Sequence, residues 1–498
     1  MNVIFGNGKI KLKGYMNLLK VKNIILLVIL SLTFSLAGDL RSDAAGNMEI
    51  AIPNWNNRVN LYQAAGNTAW LQMNDSRNWM LISGGTMNTW GELRRYWDAY
   101  GLHINLLTFA GQKHVSETQT FYGSITYNID RRTGVNRAIE LEPYALDPFV
   151  LCDSTQGDFD YNGPTVVVGF SHRILPKLWW GVGLNYAIYR GLKKNYSMPE
   201  IIRRNIQADF SLAYRLNQTV TLGVSFRPYD LRDLTKIVQQ PDGTEPVVYR
   251  YRGEFEFTSV TSKDDRTAIY NGAEIIPQLM LHFKNIRGIV FGGYYYRWHE
   301  VYDNVHLRKY DGYYQGMHYY FNTFWRWDFG QRQQNILSIR YRFRYIQDWA
   351  EEPLRKFAIY RSFHHIHDLT LGFSRRFRSF TIALEGNYRY YLPDKKDYLA
   401  HVYREAAIKS GRMNIGGIYR INPKLNVEAG MIWRRYSEPA IWHYFGNYDG
   451  LAGTLGASYK FNNNLLQVYT KFGKWKSSQS DKGRTIADFA IQLKQYLR

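Results

Sequence analysis

Gln334-Asn-Ile-Leu-Ser-Ile-Arg-Tyr-Arg-Phe-Arg-Tyr345 is the stretch whose reading decides the fold. Taken at every second residue it separates into two rows. Asn335, Leu337, Ile339, Tyr341, Phe343 and Tyr345 form one, and Gln334, Ile336, Ser338, Arg340, Arg342 and Arg344 the other. Successive side chains of a β-strand point to opposite faces, so the segment has an apolar wall and a cationic wall. Its length approaches the roughly 9–11 residues that a tilted strand needs to cross a bilayer. In a soluble sandwich the apolar row would meet a core. In a transmembrane barrel it would meet lipid, and the Arg row would line a lumen.

Composition favours the barrel. The 498 residues include 40 Tyr, 26 Phe and 14 Trp. Amphipathic rings gather where an apolar phase meets water. Mean hydropathy is −0.40, which speaks against a helical membrane protein, because lumen-facing polar residues dilute hydropathy in a barrel. Cys152 is the only cysteine and has no intrachain partner, so a closed hydrogen-bonded ring has to supply the stability that disulfides give many exported domains.

The N-terminus sets the compartment. Lys9, Lys11, Lys13, Lys20 and Lys22 precede the apolar run Ile24–Leu30, which continues to Leu36 and meets small residues at Ser35 and Ala37. This is the pattern of a secretory signal peptide over residues 1–37. The expected destination is the bacterial outer membrane after cleavage. Residues 38–76 read as a periplasmic, hatch-like segment able to fold back into the barrel mouth, and residues 77–498 as the barrel. Formal charge is +21, of which +16 belongs to residues 38–498. An exported chain rarely meets nucleic acid, so the expected anionic partners are lipopolysaccharide phosphates or a small anionic solute.

The same two-residue rhythm recurs at Thr118–Asp130, Leu178–Ile188, Ile206–Tyr214, Gln315–Trp327, Phe380–Tyr390 and Leu425–Trp433. Short turns near Pro176, Asn217, Ile286, Gln331, Phe377, Pro423 and Asn463 alternate with longer connections near 191–202, 230–271, 303–312, 349–359, 393–407, 437–449 and 476–483. That alternation predicts an all-β, antiparallel outer-membrane β-barrel. The seven short-turn hairpins give 14 strands, flanking segments extend the ring to 16, and the weaker pair at 78–113 extends it to 18. Residues 131–160 read as a polar connection, Gly288–His299 lacks two clean faces, and the connection 230–271 is long enough to carry its own hairpin, Val247–Phe257, over the outer opening.

Asp147-Pro-Phe-Val-Leu-Cys-Asp-Ser-Thr-Gln-Gly-Asp-Phe-Asp-Tyr-Asn-Gly-Pro164, followed by an alternating hairpin, resembles an uncharacterised family of outer-membrane barrels of this length from Bacteroidota. Gly66-Asn-Thr-Ala-Trp-Leu71 is similar to the hatch-like start of barrels related to long-chain fatty-acid transporters. The first resemblance implies fold and location and carries over no functional residues. The second implies uptake of a hydrophobic ligand.

The candidate site is the set of charged residues expected to face the lumen: Asp209, Arg215, Arg326, Asp328, Arg340, Arg342, Arg344, Glu385, Arg389, Glu428 and Arg434. Two readings stay open for them. One is a polar path that the Arg ladder biases toward anions. The other is a cross-strand salt-bridge network that fills the interior. His365 and His367 share a strand face at a spacing able to bind a divalent ion, but a closed site needs three or four ligands, and a surface histidine cluster accounts for them as well. The Tyr313–Trp327 aromatics suit an interface girdle or a sugar-stacking site. No spacing fixes a nucleophile and base, so neither an enzyme nor a cofactor is expected. The leading expectation is passive or ligand-gated passage of a small anionic solute. The alternatives are a closed barrel acting as scaffold or accessory subunit for an envelope protein partner, and hydrophobic-ligand uptake.

Overall fold

The computed structural model describes residues 45, 48–52, 66–74, 77–141, 148–194, 197–237, 247–253, 257–261, 265–303, 309–330, 334–352, 356–442 and 445–497. The expected signal peptide and most of the expected hatch segment lie outside the described residues. A single antiparallel sheet closes on itself through β1 (Asn78–Trp90), β2 (Gly101–Ser116), β3 (Gln119–Ala138), β4 (Leu151–Leu175), β5 (Leu178–Lys193), β6 (Glu200–Arg215) and β7 (Val220–Lys236). The hairpin β8 (Val247–Tyr251) and β9 (Phe257–Thr261) lies in the connection that follows. The wall resumes with β10 (Arg266–Phe283), β11 (Ile286–Asp303), β12 (Lys309–Phe329), β13 (Asn335–Glu351), β14 (Ala358–Arg376) and β15 (Phe380–Asp397). After the short β16 (Val402–Glu405) come β17 (Ile408–Arg420), β18 (Leu425–Ser437), β19 (Tyr448–Phe461), β20 (Asn464–Ser477) and β21 (Gly483–Leu497). β1 pairs with β21 along its whole length, from Asn78↔Leu497 to Trp90↔Thr485, so the 18-strand ring has no free edge.

The turns explain the direction of the chain. At the short-turn end, Asn217 Oδ1 accepts the Thr219 and Val220 N–H at 2.8 Å, and Asn422 Oδ1 does the same for Lys424 and Leu425. Asn favours such turns because its side chain substitutes for a backbone acceptor. The opposite end carries the longer connections.

Four expectations are sharpened or corrected. The ring has 18 staves, which excludes 14 and 16, because the weak pair at 78–113 becomes β1 and β2. Residues 131–160 are not one polar loop: β3 runs to Ala138 and β4 starts at Leu151, since both strands stand tall at the long-loop end. Gly288–His299 lies inside β11, whose alternation is blurred because its inward face carries Phe291, Tyr295 and Arg297 beside the outward Tyr294 and Tyr296. The hairpin expected at Val247–Phe257 runs to Thr261, and β8 pairs with the start of β4 at Leu151↔Arg250 and Cys152↔Tyr249.

The outward face carries the apolar row. Phe210, Leu212 and Tyr214 on β6, Leu222, Val224 and Phe226 on β7, and Val427, Met431 and Trp433 on β18 are all exposed. A soluble monomer rarely shows so continuous an apolar surface. From Ile206 to Tyr214 the band covers ~26 Å of strand, or roughly 20 Å along the barrel axis at a ~40° tilt, close to the height of a lipid-facing belt. Charges end it toward the long-loop side: Arg204 meets Asp230 at 2.7 Å and Arg435 meets Asp449 at 3.9 Å. The fold is therefore an all-β, antiparallel transmembrane barrel.

Apolar side chains also pack on the inner wall at the long-loop end. Val135, Ile139, Leu151, Phe159 and Val248 form one cluster. In another, Phe149 from the β3–β4 connection packs with Val301, Tyr314, Ala350 and Ile359 of the β11–β14 wall. Cys152 is free and buried beside the first cluster.

Leu212→Arg is expected to cost about 2–4 kcal/mol, because it sets a guanidinium in the middle of the belt. Arg204→Ala at the belt edge should cost far less. Urea-dependent unfolding from lipid vesicles measures both, and a Leu212→Arg change under about 0.5 kcal/mol would remove lipid from that face.

Candidate functional site

The two-residue period of β13 points Ser338, Arg340, Arg342 and Arg344 inward together, and the neighbouring strands bring charges to the same wall. Register aligns Arg342 with Asp368 on β14, and Asp368 with Arg389 on β15. Arg412 on β17 lies opposite Asn387 on β15 and Arg434 on β18. Asp368 accepts from Arg342 at 2.9 Å and from the Asn387 amide at 2.9 Å, while Arg389 stands 3.9 Å away. Arg344 is exposed on the inward face and has no carboxylate partner among the described residues. Arg389 is also open to the lumen, its side chain 49% accessible. The wall thus combines a salt-bridge network with guanidinium groups that the network does not neutralise.

The N-terminal segment sits on this wall. The buried Glu385 carboxylate, on β15, accepts three successive backbone N–H groups: Glu49 at 2.9 Å, Ile50 at 2.7 Å and Ala51 at 3.1 Å. The Asn414 amide adds a fourth donor at 3.2 Å. Convergent N–H donors of this kind can hold a carboxylate without a cation. The Ser338 hydroxyl donates to the Ile50 carbonyl at 2.8 Å. The backbone approaches closely at two strand glycines. A Cβ at Gly372 would lie 3.0 Å from Ala51 Cα, and one at Gly416 would lie 2.6 Å from the Ala45 carbonyl oxygen. The Glu49 carboxylate turns back to the wall, where Arg340 donates to one oxygen and Arg412 to the other, the latter at 2.6 Å. Burial alone would raise this carboxyl; Arg412 and Arg340 outweigh it and hold it at about 2.

A second anchor lies across the lumen. Asp209 accepts the Thr68 N–H at 3.2 Å and the Thr68 hydroxyl at 2.5 Å, and Arg227 donates to its other oxygen at 2.8 Å. Asn67 donates to Gln278 at 2.7 Å and accepts the Ala69 N–H, capping the single turn Thr68–Trp70. Trp70 packs among Trp179, Ala213, Ile289 and Phe324. The space for this turn comes from Gly181, where a Cβ would lie 2.4 Å from the Ala69 nitrogen.

Toward the long-loop end, Asp348 is fully buried and accepts from Arg297 at 3.3 Å and His318 at 3.0 Å. Arg297 also donates to the Tyr314 hydroxyl at 2.8 Å, linking this cluster to the Phe149 packing. Arg266 bridges Asp303 at 2.7 Å and Asp311 at 2.8 Å and donates to the Phe149 carbonyl at 3.1 Å.

The remaining expected residues take these places. Arg326 pairs with Asp328 at 2.8 Å near the short-turn rim. Arg215 lies 5.0 Å over the Trp179 ring on the same rim. Glu428 is buried on the inward face of β18, and Arg434 sits 5.9 Å over the Tyr448 ring. The histidines diverge: His364 points inward to the Tyr391 hydroxyl, whereas His365 and His367 face outward against Tyr345 and Tyr341. Among the described residues no group of three or more His, Cys, Asp or Glu could hold a metal. The aromatic run divides by parity, with Tyr319 and Trp327 outward and Tyr314 and Tyr320 inward.

The pattern reading missed Glu49, Arg412, Asp368, Asp348 and Arg297. Arg412, Asp368 and Asp348 follow the inward parity of their strands and were legible in principle. Glu49 was not, because its segment has no period. The one hint lay in inward glycines such as Gly181, Gly372 and Gly416, which leave room for a second backbone.

A family model described as "Family of unknown function (DUF6850)" matches residues 68–494. No curated protein matches the chain. Among solved structures, the chain is similar to the ferric yersiniabactin uptake receptor FyuA from Yersinia pestis, at 8% identity and TM-score 0.42, over 85% of this chain and 80% of that one. The outer membrane transporter YddB from Escherichia coli aligns at 6% identity and TM-score 0.40, over 85% and 81%. The toluene transporter TodX from Pseudomonas putida aligns at 11% identity and TM-score 0.33, over 93% and 99%.

Glu385→Gln keeps the shape of the anchor but leaves one oxygen to face several N–H donors. With charge-assisted bonds at about 1.5–3 kcal/mol each, amide exchange at Ile50 and Ala51 should accelerate by about tenfold or more. Hydrogen-exchange mass spectrometry of residues 48–52 reads this, and unchanged protection would show that Glu385 does not hold the segment. The Glu49 contact has its own pH window. A lowered folded pKa means that its contribution is complete above about pH 4.5 and fades as pH falls toward about 2. Protection that weakened between pH 7 and 5 would contradict it.

Proposed function

The chain belongs to the Family of unknown function (DUF6850), and from its lumen geometry we propose that this member passes a small anionic solute across the bacterial outer membrane. The observation that carries the reading is the inward wall of β13–β18, where Arg344 and Arg389 face the lumen beyond what Asp368 neutralises. An excess of guanidinium groups with access to water attracts anions and repels cations, as basic rings do in anion-selective pores. In the expected orientation the short turns face the periplasm and the long connections face outward. The solute then enters past the Phe149 and Val248 packing and leaves past the segment seated on Glu385 and Asp209. Passage requires at least one of these to move, so the reading is a gated path rather than an open pore.

Packing at both ends also favours a second reading, a closed barrel that serves as scaffold for an envelope partner. It predicts no conductance under any condition and a partner retained in mild detergent.

Reconstituted in a planar bilayer, the protein should show channel events with anion over cation preference. Arg344→Gln with Arg389→Gln, which leaves the Arg342–Asp368 pair intact, should reduce that preference several-fold without abolishing conductance. Conductance with unaltered selectivity would remove these two residues from the path. Absence of conductance would favour the scaffold.

A further inference from the structure

We infer that Arg340 and Arg412 form a carboxylate-binding clamp, that Glu49 of the seated segment occupies it as an internal stand-in, and that a carboxylate-bearing solute unseats the segment by taking the place of Glu49. This deepens the anion-passage reading by naming the group the solute carries and the contact through which it acts.

The clamp is built for one carboxylate. Each Glu49 oxygen takes a separate guanidinium, one from β13 and one from β17, on either side of β14 and β15. Among the described residues no other carboxylate accepts hydrogen bonds from both cations. Glu385 lies 3.6 Å from Arg412, but its lone pairs are already taken by the three backbone N–H groups and the Asn414 amide. Thr370 reaches Arg340 only at 3.5 Å and brings no charge. Glu49 is therefore the carboxylate that both guanidinium groups hold by hydrogen bonds, while the Glu385 charge lies near Arg412 alone.

The clamp is also within reach. The side chains of Arg340, Arg412 and Glu49 are 21%, 26% and 33% accessible, whereas the Glu385 anchor beneath them is fully buried. Ligand and Glu49 thus compete at the water-facing layer, and once Glu49 is displaced only the Glu385 anchor and the Ser338 bond remain to be broken before residues 49–51 lift. Arg342 is the next inward cation toward the long-loop end, followed by Arg344, so the wall leads an anion arriving from that side down to the clamp. Charge-assisted hydrogen bonds are roughly twice as strong as neutral ones, and an internal carboxylate lowers the apparent affinity for an external one to the fraction of clamps it leaves free.

The test uses sodium glutarate, whose end repeats the Glu49 side chain, with neutral glutaramide as control and the full-length protein in detergent. Calorimetric titration should show glutarate binding to Glu49→Gln about tenfold or more tighter than to the wild type, no binding of glutaramide, and loss of glutarate binding in Glu49→Gln with Arg412→Gln. Unaltered far-UV circular dichroism establishes that the variants keep the barrel. In bilayers, glutarate should raise the open probability of the wild type, and Glu49→Gln should be open without it. Equal glutarate affinity in wild type and Glu49→Gln overturns the stand-in role. Inorganic phosphate binding as tightly as glutarate overturns the assignment to carboxylates. Anion-selective conductance that depends on Arg344 and Arg389 but is indifferent to Glu49 leaves the passage reading standing and sinks the clamp. Tight glutarate binding by Glu49→Gln in a barrel that never conducts upholds the clamp and sinks passage.

Discussion

In hydrocarbon no water is present to satisfy an N–H or a carbonyl, so a strand wall survives there only if its last strand finds its first. The continuous pairing of β1 with β21 meets that condition, and the other features of the molecule follow from it. Once the ring is closed, each strand has one face in contact with lipid and one with the interior. The outward row can be apolar all round the barrel. The inward row is then free to carry charge, provided each charge finds a partner or water.

That condition sorts the interior into two kinds of place. Where side chains are buried, charges occur in matched sets: Arg266 with Asp303 and Asp311, Asp348 with Arg297 and His318, Asp209 with Arg227 and the Thr68 turn. Breaking one such partner would leave its fellow uncompensated, at several kcal/mol. Where the wall is open to water, as at Arg344 and Arg389, the match is incomplete and solvent carries the remainder. The difference separates structural charge from charge available to a ligand.

The seated N-terminal segment joins the two. A segment with no more than a short helical stretch at Thr68–Asn74 leaves most of its backbone groups to be satisfied by something outside itself. Here the barrel supplies the partners: Glu385 and Asp209 accept its N–H groups, and Ser338 and Ser171 donate to its carbonyls. Inward glycines on β5, β14 and β17 let the second backbone approach a wall that any larger residue would close. A segment held through polar contacts can be released by polar competitors, whereas the apolar packing around Phe149 and Val248 at the other end has no such exchange partner. The two ends therefore differ in the kind of contact that holds them.

Much of this was written in the order of residues. The alternation in Gln334–Tyr345 and its counterparts sets strand, face and belt, because side-chain direction along a strand depends on parity alone. The rhythm of short turns and long connections sets antiparallel neighbours, and the inward direction of Arg340, Arg342, Arg344, Glu385, Arg389 and Arg434 needs nothing more than counting. Other features depended on distance in space. The full ring of 18 strands required β1 to reach β21, a pairing between residues some four hundred positions apart that no local pattern encodes. Whether an inward arginine is neutralised depends on which residue register places beside it, so among the described residues Arg342 has a carboxylate partner and Arg344 has none. The meeting of Glu49 with Arg340 and Arg412 joins an aperiodic segment to strands roughly three hundred residues later. Parity along one strand is a local property that the sequence determines by itself, whereas the pairing of one charge with another depends on three-dimensional proximity that only the closed barrel decides.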